Sequence, residues 1–314
     1  MTRLIAFIAA AAVLAGFALA AGPQRADAAI RVGVGDQDPR TFTDPLYKQL
    51  RVKRARYFPP WNVALVRSAR AALDGWLAAA RAARAEPLIS FSQTIGSACP
   101  ARPCKLPTVR EYRRAFTAFR RRYPSVKVIS PWNEANHRSQ PTFRSPKRAA
   151  QYYNVVRARC RGCKIVAADV IDETNMERWL RVFRRTAKRP RLWGLHNYRD
   201  TNPRPGQKFG GTRRLVRAVR GKIWLTETGG IARFQLPGGG TLFPFNLTRQ
   251  NTAVKRMFSL ARRYRSRIQR LYIYNWWGQP ASNRFDAGLV NEDGTERPAY
   301  RTVRSALRTS TFNP

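Results

Sequence analysis

Acidic residues are scarce in this chain. Its 314 residues include 18 Asp and Glu against 59 Lys and Arg, which gives a formal net charge of +41 at pH 7. It also has only two histidines and four cysteines, and no Pro-, Gly- or Ser-rich linker divides it. Without such a linker there is no reason to split the chain into several domains. Since acids are so few, a glutamate inside an apolar strand indicates a specific role rather than an ordinary solvent-exposed position.

The positive charge is spread over the predicted helices. Most of the cations are arginines, for example at residues 120–122 and 184–185. A nucleic-acid-binding protein more often concentrates its charge on one face or in a tail. The pattern therefore favours a solvated surface and indicates no specific nucleic-acid partner. A field of this size would still attract anionic polymers by long-range steering.

The N-terminus has the features of an export signal. Arg3 precedes an apolar run over residues 4–21, and small residues at 26–28 offer a cleavage site. An apolar run of this length is also just long enough to span a membrane, so an uncleaved anchor is the alternative. We expect a signal peptide over residues 1–28, a mature domain over residues 29–314 that makes no membrane contact, and secretion or association with the cell envelope.

Short apolar runs alternate with helical patterns along the rest of the chain. Continuous runs of this kind are typical of strands that are buried on both faces. The predicted strands cover residues 30–34, 53–58, 87–92, 126–130, 164–170, 192–196, 223–226 and 271–275. This alternation predicts an α/β fold, namely a single (β/α)8 TIM barrel. A doubly wound open sheet is the alternative, but no G-x-G-x-x-G phosphate turn follows an early strand.

The helices are predicted from periodicity and from caps. Thr108 and Glu111 form a capping box ahead of a helix that stops at Pro124. Ser145 is expected to cap another helix, with proline in its first turn. The remaining helical patterns cover residues 61–85, 149–160, 175–188, 212–220, 248–264 and 298–308. The long loop at 230–246 is either a flexible wall of a cleft or an ordinary surface excursion.

The four cysteines fall into two close pairs. Cys99 and Cys104 follow the third predicted strand, and Cys160 and Cys163 precede the fifth. In a barrel these two places lie at opposite ends, so four sulfur ligands cannot converge on one zinc ion. Export favours disulfides. We expect the links Cys99–Cys104 and Cys160–Cys163, with free thiols as the alternative, and no metal site or cofactor.

Two glutamates stand where predicted strands open into loops. Glu134 follows the fourth strand, in the run Pro-Trp-Asn-Glu-Ala-Asn-His at 131–137, and Glu227 ends the seventh, in Leu-Thr-Glu-Thr-Gly-Gly at 225–230. The active-site residues of such barrels lie at the C-terminal ends of the strands. Paired carboxylates at the mouth of a scaffold are what glycoside hydrolysis requires, one to exchange a proton and one to attack the sugar.

Other strand ends carry side chains suited to a sugar site. Both histidines of the chain, His137 and His196, lie beside the same rim. Asn133 can hydrogen bond the 2-hydroxyl of a sugar, and aromatic rings can stack on a pyranose. The alternative is that the tryptophans only pack in the core of the barrel. The further candidates for substrate binding are Arg56, Tyr198, Trp276 and Trp277.

These residues, in this order, resemble the clan A retaining glycoside hydrolases, especially families 5 and 39. Those enzymes are barrels with the acid/base on strand four and the nucleophile on strand seven. The resemblance extends over the whole mature chain, including the exit from strand eight at residues 288–300. Strand three departs from it, because it ends in Ser-Gln-Thr at 92–94 where several families have a histidine.

The resemblance implies a role for each site residue. Glu134 is expected to be the acid/base and Glu227 the nucleophile. The strand-six pair includes His196 and Tyr198, whose phenol supports the nucleophile, and Arg56 is expected to pair with the nucleophile. One of the two tryptophans would form the floor of the sugar site.

The physical expectations follow from those roles. Burial and a neighbouring carboxylate should raise the pKa of Glu134, so that it can donate a proton. The two carboxyl groups should be about 5–5.5 Å apart. The sequence thus predicts a secreted retaining O-glycoside hydrolase with a carbohydrate substrate. The alternative is a catalytically silent barrel that binds anionic cell-wall polymers or nucleic acid through its arginines.

Overall fold

A parallel sheet that closes into a barrel forms the centre of the molecule. The computed structural model describes residues 29–93, 104–204, 206 and 210–314; the predicted signal peptide and Cys99 lie outside them. The strands are β1 (Ile30–Gly35), β2 (Arg54–Tyr57), β3 (Glu86–Ser90), β4 (Val128–Ser130), β5 (Lys164–Ile165), β6 (Asp169–Ile171), β7 (Leu192–His196), β8 (Lys222–Thr228), β9 (Arg233–Gln235), β10 (Thr241–Phe243), β11 (Ile268–Tyr274), β12 (Phe285–Asp286) and β13 (Phe312–Asn313).

Helices alternate with the barrel strands. They are α1 (Pro45–Leu50), α2 (Arg67–Ala82), α3 (Val109–Arg122), α4 (Pro146–Arg159), α5 (Met176–Thr186), α6 (Tyr198–Thr201), α7 (Gly211–Ala218), α8 (Leu247–Arg263) and α9 (Pro298–Ala306). This alternation and the parallel pairing confirm the (β/α)8 barrel that the sequence predicts. In the part of the chain that the structure describes, no helix is both apolar enough and long enough to cross a membrane.

Two short strands, β5 and β6, together fill the fifth strand position of the barrel and close it. The sheet runs in the order β5-β4-β3-β2-β1-β11-β8-β7-β6, and its internal pairs are parallel. Between β5 and β6, the backbone N–H of Val166 donates to Ile129 and that of Ala167 donates to Leu192. Residues 164–171 therefore bridge β4 and β7, as the predicted strand at 164–170 requires.

Inside the barrel, the side chains nearer the N-terminal ends of the strands are apolar, and those nearer the C-terminal ends are polar. Leu88, Val128, Val166, Trp224 and Tyr272 form an apolar cluster apart from the main core. A Cβ on Gly33 would lie 2.6 Å from the Tyr272 ring, so glycine there leaves room for the aromatic side chain. Side chains two residues further along a strand point the same way. The polar residues Ser90 and Thr226 follow Leu88 and Trp224 in this register and are fully buried.

The helix termini differ in detail from the prediction. The capping box of α3 is present, because the Thr108 hydroxyl accepts from the Glu111 N–H and the Glu111 carboxylate accepts from the Thr108 N–H. Ser145 is at the predicted N-cap position of α4, with proline in the first turn, but its side chain makes no capping hydrogen bond. The helix predicted over 61–85 begins only at Arg67, because Val66 has extended backbone and a short 3-10 turn precedes it.

Two loops at the barrel mouth join to form a second sheet. The hairpin β9–β10, within the long loop at 230–246, pairs antiparallel with β12 from the loop after β11. Two stretches of this loop are therefore strands of the second sheet. Cys160 and Cys163 form the predicted disulfide after α4. The other predicted link involves Cys99, which lies outside the described residues.

Candidate active site

The two glutamates lie next to each other at the C-terminal mouth of the barrel. Glu227 is on β8 and is 8% exposed, and Glu134 is in the turn after β4. An oxygen of one carboxylate lies within 4.8 Å of an oxygen of the other. Residues this far apart in sequence meet here because all barrel strands end at one rim.

The backbone at Glu134 aims its side chain across the mouth. Its φ of 44° is left-handed, which is uncommon for a residue with a side chain. Such a conformation persists where the surroundings enforce it. Here the Asn133 N–H donates to the Phe91 carbonyl at 2.6 Å, and the Ala135 N–H donates to the Asp169 carbonyl at 2.8 Å. The turn is thus held by the strand ends on both sides.

Arg56 on β2 is the central cation of the site. Its side chain is fully buried, and it donates to Glu227 at 2.7 Å and to the Asn133 amide oxygen. It also donates to the Ser90 hydroxyl at 3.2 Å and lies 3.8 Å from the Asp169 carboxylate. The predicted pairing of Arg56 with the nucleophile candidate is therefore present. Charge-assisted bonds of this kind hold an ionised carboxylate strongly.

Tyr198 supports Glu227 from the other side. Its hydroxyl donates to a Glu227 oxygen at 3.0 Å. Tyr198 begins the short helix α6, and Asp172 fixes that helix by accepting from the backbone N–H groups of Arg199 and Asp200 at 3.3 and 3.1 Å. Burial and the Glu227 charge raise the pKa of Tyr198 well above its usual range, so it stays a donor.

His196 at the end of β7 is fully buried between carboxylates. Its Nδ1 lies 3.1 Å from Glu134 and 3.7 Å from Glu227, and its Nε2 lies 3.3 Å from Asp169. Burial disfavours a charged ring, but the carboxylates outweigh it and raise the pKa of His196 to about 10. The ring is therefore an imidazolium at neutral pH.

The expected rise in the pKa of Glu134 is wrong. Burial does act to raise it, but the hydrogen bond and charge of His196, with smaller contributions from His137 and Arg56, bring the pKa of Glu134 below its ordinary value. A neighbouring carboxylate was expected beside Glu134, and no cation was expected there. In the structure, an imidazolium lies between Glu134 and the rest of the cluster. In the resting protein Glu134 is thus a carboxylate.

The two strand-eight tryptophans have different environments. Trp276 is fully buried, and its ring packs edge-on against Tyr47 and Tyr300 under the helices. It therefore fills the core and does not face the site, which corrects its assignment as a substrate-binding residue. Trp277 is partly exposed and lines a cavity at the barrel mouth. Of the two, Trp277 is the candidate for the floor of a sugar site.

That cavity has a volume of about 890 Å³, and its walls come from the ends of β1 and β11 and from β12. Phe285 connects it with the glutamates, since its ring lies 5.8 Å from that of Tyr198, which donates to Glu227. Asp36 joins the two strand ends, because its carboxylate accepts from the backbone N–H groups of Trp276 and Trp277 at 2.8 and 3.4 Å. Burial raises the pKa of Asp36 to about 6.

Only one group of residues is compact enough to suggest a metal site in the part of the chain that the structure describes. One donor atom each from Glu134, His196 and Glu227 lie within 4.8 Å of one another. A metal ion needs a neutral histidine, whereas the neighbouring carboxylates raise the pKa of His196 and favour its protonated ring. The Arg56 guanidinium already binds Glu227. Two cations thus occupy the place of a metal ion, and the residues do not fit one.

Three buried aspartates of this region were missed from the sequence, namely Asp36, Asp169 and Asp172. Each lies at or just beyond the end of a predicted strand. The scarcity of acids, which drew attention to the two glutamates, applies to these aspartates equally. Apart from Trp276, all the predicted site residues meet in one cluster or line the adjoining cavity. These seven are Arg56, Asn133, Glu134, His196, Tyr198, Glu227 and Trp277.

Comparison with solved structures places the fold among barrel glycosidases. An endo-1,4-beta-xylanase from Caldicellulosiruptor owensensis superposes with a TM-score of 0.62 at 11% identity, covering 88% of this chain and 96% of the xylanase. A family 39 glycoside hydrolase from Bacteroides cellulosilyticus WH2 gives 0.59 at 15% identity, with 88% and 62% coverage.

A subfamily 18 member of glycoside hydrolase family 5, from Streptomyces cattleya and in complex with GlcNAc, gives 0.60 at 14% identity over 91% of this chain and 81% of that protein. No protein-family model matches the sequence, and no curated protein sequence matches it. At such low identities the similarity establishes the fold alone. The chain therefore has a (β/α)8 barrel fold, with family 10, 39 and 5 glycoside hydrolases among its structural neighbours.

Proposed function

We propose that this protein is a retaining O-glycoside hydrolase, with Glu134 as acid/base and Glu227 as nucleophile. The observation that carries the proposal is the separation of at most 4.8 Å between their oxygens. Inverting enzymes hold their carboxyl groups roughly 6.5–9.5 Å apart to admit a water, and retaining enzymes about 5–5.5 Å. The short separation supports double displacement through a covalent glycosyl-enzyme.

The surroundings of each glutamate suit its role. Glu227 receives hydrogen bonds from Arg56 and Tyr198 on its two oxygens, which hold the carboxylate in place for attack on the anomeric carbon. Glu134 is less enclosed, with 21% of its side chain exposed, so that a departing group can reach it. Asn133 precedes Glu134, shares the Arg56 guanidinium with Glu227 and is 8% exposed, which suits it to bind a sugar 2-hydroxyl.

The proposed substrate is a polysaccharide or a glycoconjugate. The cavity of about 890 Å³, with Trp277 and Tyr274 in its lining, has the size and the aromatic walls of a sugar-binding site. If residues 1–28 direct export, the substrate is met outside the cytoplasm or in the cell envelope. The net charge of +41 would favour encounter with anionic polymers.

Alanine variants separate the two roles. Glu227→Ala removes the nucleophile, so hydrolysis should fall by orders of magnitude even for activated aryl glycosides. Added azide should then give a glycosyl azide of inverted configuration. Glu134→Ala should still form the glycosyl-enzyme from an activated substrate but hydrolyse it slowly, and azide should restore turnover with retained configuration.

Glu173→Ala is the matched control, because Glu173 lies at the same rim, 3.8 Å from His137, without touching either catalytic candidate. It is expected to keep its activity within about tenfold of the unaltered protein, the range that an exposed ion pair can influence. Identical behaviour of the Glu134 and Glu227 variants, with no response to azide, would contradict the assigned roles.

A catalytically silent, polyanion-binding barrel is the second candidate. A groove of about 260 Å³ between α5 and α7, lined by four arginines and a single glutamate, supports it. Ionic strength distinguishes the two functions. Charge-driven binding falls steeply with added salt, whereas turnover of a neutral glycan does not. A protein that binds polyanions at low salt and hydrolyses none of a panel of polysaccharides would be assigned to this second class.

A further inference from the structure

A groove on the flank of the barrel lies between the helices α5 and α7. It has a volume of about 260 Å³ and is lined by the apolar residues Leu180 and Ala218, by Glu177 and by four arginines. Glu177 is the second residue of α5, and Ala218 is the last residue of α7. This α5–α7 groove therefore extends down the outside of the barrel, and none of its lining residues belongs to the candidate active site.

Two of the four arginines tie the helices together, one towards each end of the groove. Nearer the barrel mouth, Arg214 on α7 forms an ion pair with Glu177 on α5 and donates to the Thr174 carbonyl at 3.1 Å. At the other end, Arg184 on α5 donates to the carbonyl of Ala218 at 2.8 Å. Because these bonds fix both walls, the groove exists before any ligand binds, which lowers the cost of binding.

The other two arginines, Arg181 and Arg217, have guanidinium groups that are available to a ligand. They lie on opposite walls of the groove, Arg181 on α5 and Arg217 on α7, and both are exposed. In the described part of the chain, neither side chain forms a hydrogen bond or an ion pair. Each is three residues from a tying arginine of its own helix and so lies on the same helix face. The single acid of the groove, Glu177, is already bound by Arg214.

The shape of the groove and the chemistry of its cations indicate what it binds. Arginines are spread over much of this chain, but a cleft lined by charges of one sign focuses the field on its occupant. A guanidinium binds a planar carboxylate through two parallel N–H bonds. A chain that presents carboxylates in succession therefore matches two guanidinium groups on facing walls.

Nucleic acid fits the groove less well. Proteins that bind single strands combine a positive groove with aromatic side chains on which the bases stack. Within the described residues, no aromatic ring lines the groove, and its only apolar residues are Leu180 and Ala218. The lining thus offers a small apolar floor and cations, and no stacking surface for a base.

We propose that the α5–α7 groove is a second binding site, which takes an acidic polysaccharide that carries uronate carboxylates. The guanidinium groups of Arg181 and Arg217 bind its carboxylates, and Leu180 and Ala218 form the floor beneath its sugar rings. The inference goes beyond the proposed hydrolysis and does not depend on it, because the groove uses no group of the barrel mouth. A protein held in this way keeps its mouth open to a separate glycan.

Binding of polygalacturonate oligomers by the full chain tests the site, in a Glu227→Ala background so that hydrolysis does not consume the probe. Arg181→Gln/Arg217→Gln should weaken binding about tenfold or more at low salt. It should also reduce the slope of log K against log salt by about one to two. Arg113→Gln/Arg121→Gln is the matched control, because it removes two exposed arginines from α3 with the same change in net charge. Its binding should stay within about twofold.

The charge of the polymer and the position of the site are tested separately. Methyl-esterified polygalacturonate has the same backbone without the charges and should bind far more weakly. Labelling with phenylglyoxal and peptide mass spectrometry locate the site without any substitution in the groove, since polygalacturonate should protect Arg181 and Arg217 and leave Arg113 reactive. Equal loss of binding in the two double variants, or equal binding of the esterified polymer, would overturn the proposal. So would a single-stranded DNA that binds the groove more tightly than polygalacturonate does.

Discussion

Arg56→Met removes the only guanidinium that touches the buried carboxylates of the site in the described structure. Arg56 is 2.7 Å from Glu227 and 3.8 Å from Asp169, and these residues are 8% and 0% exposed. Loss of one partner of a buried ion pair costs about 3–5 kcal/mol, because an uncompensated charge remains. Since domains are stable by about 5–15 kcal/mol, the variant should stay folded with a much reduced free energy of unfolding.

The loss should depend on pH. The pKa of Asp169 is lowered in the folded state. Its stabilising contribution is therefore present above the unfolded pKa of about 3.9 and disappears as pH falls through the lowered value. Without Arg56 this contribution shrinks, so the two proteins should differ most at pH 7 and converge only well below about pH 3.9, as the pH falls through the lowered pKa of Asp169. Urea unfolding followed by tryptophan fluorescence at pH 7 and at about pH 2 measures the difference.

Arg270→Met is the matched control from the opposite end of the barrel. Arg270 is equally buried, but its partner Glu86 keeps 38% of its side chain exposed. Glu86 can thus be hydrated when the cation is removed, and the main loss is the stacking of Arg270 on Trp224 at 4.1 Å. We expect a cost of about 2 kcal/mol. An Arg56→Met loss below about 1 kcal/mol, or one that persists unchanged at about pH 2, would refute the argument.

Three further measurements follow from the structure. Trp276→Ala should lower the free energy of unfolding by about 3–5 kcal/mol, whereas Trp277→Ala should chiefly raise KM, and the reverse result would contradict their placement. His196 has its pKa raised from 6.5 to about 10, so it stabilises the fold fully below pH 6.5 and loses this contribution as pH approaches 10; the pH slope of stability in this range should be smaller in His196→Gln. Peptide mapping without reductant should recover the 160–163 and 99–104 disulfides, and stoichiometric zinc would rule them out.

The barrel was predictable because its strands are short, apolar and regularly spaced. Seven of the eight barrel strands overlap a predicted run directly, and the remaining run at 164–170 is divided between β5 and β6. The division could not be foreseen, since Val166 bonds to β4 whereas Ala167 and Ala168 bond to β7 as the barrel closes. Such a switch depends on neighbours that are far away in the sequence.

The site was predictable at its rim and not in its interior. Glu134 and Glu227 were found because each interrupts an apolar run, and Arg56 and Tyr198 were implied by the resemblance. The pKa of Glu134 was predicted with the wrong sign, because nothing local in the sequence places His196 against it. Trp276 and Trp277 are adjacent and chemically identical, and only the direction of each side chain separates core packing from cavity lining.

The second sheet couples changes in the loop after β8 to changes in the loop after β11. Phe285 on β12 contacts Tyr198 and Tyr274 as well as Phe234 on β9, so the aromatic layer over the site is shared by both loops. Neither loop can then change length near the paired residues without compensation in the other. The turn at 237–239 is free of this restraint, because it lies beyond the last paired residues and is exposed. Insertions there would leave the support of Glu227 by Tyr198 intact.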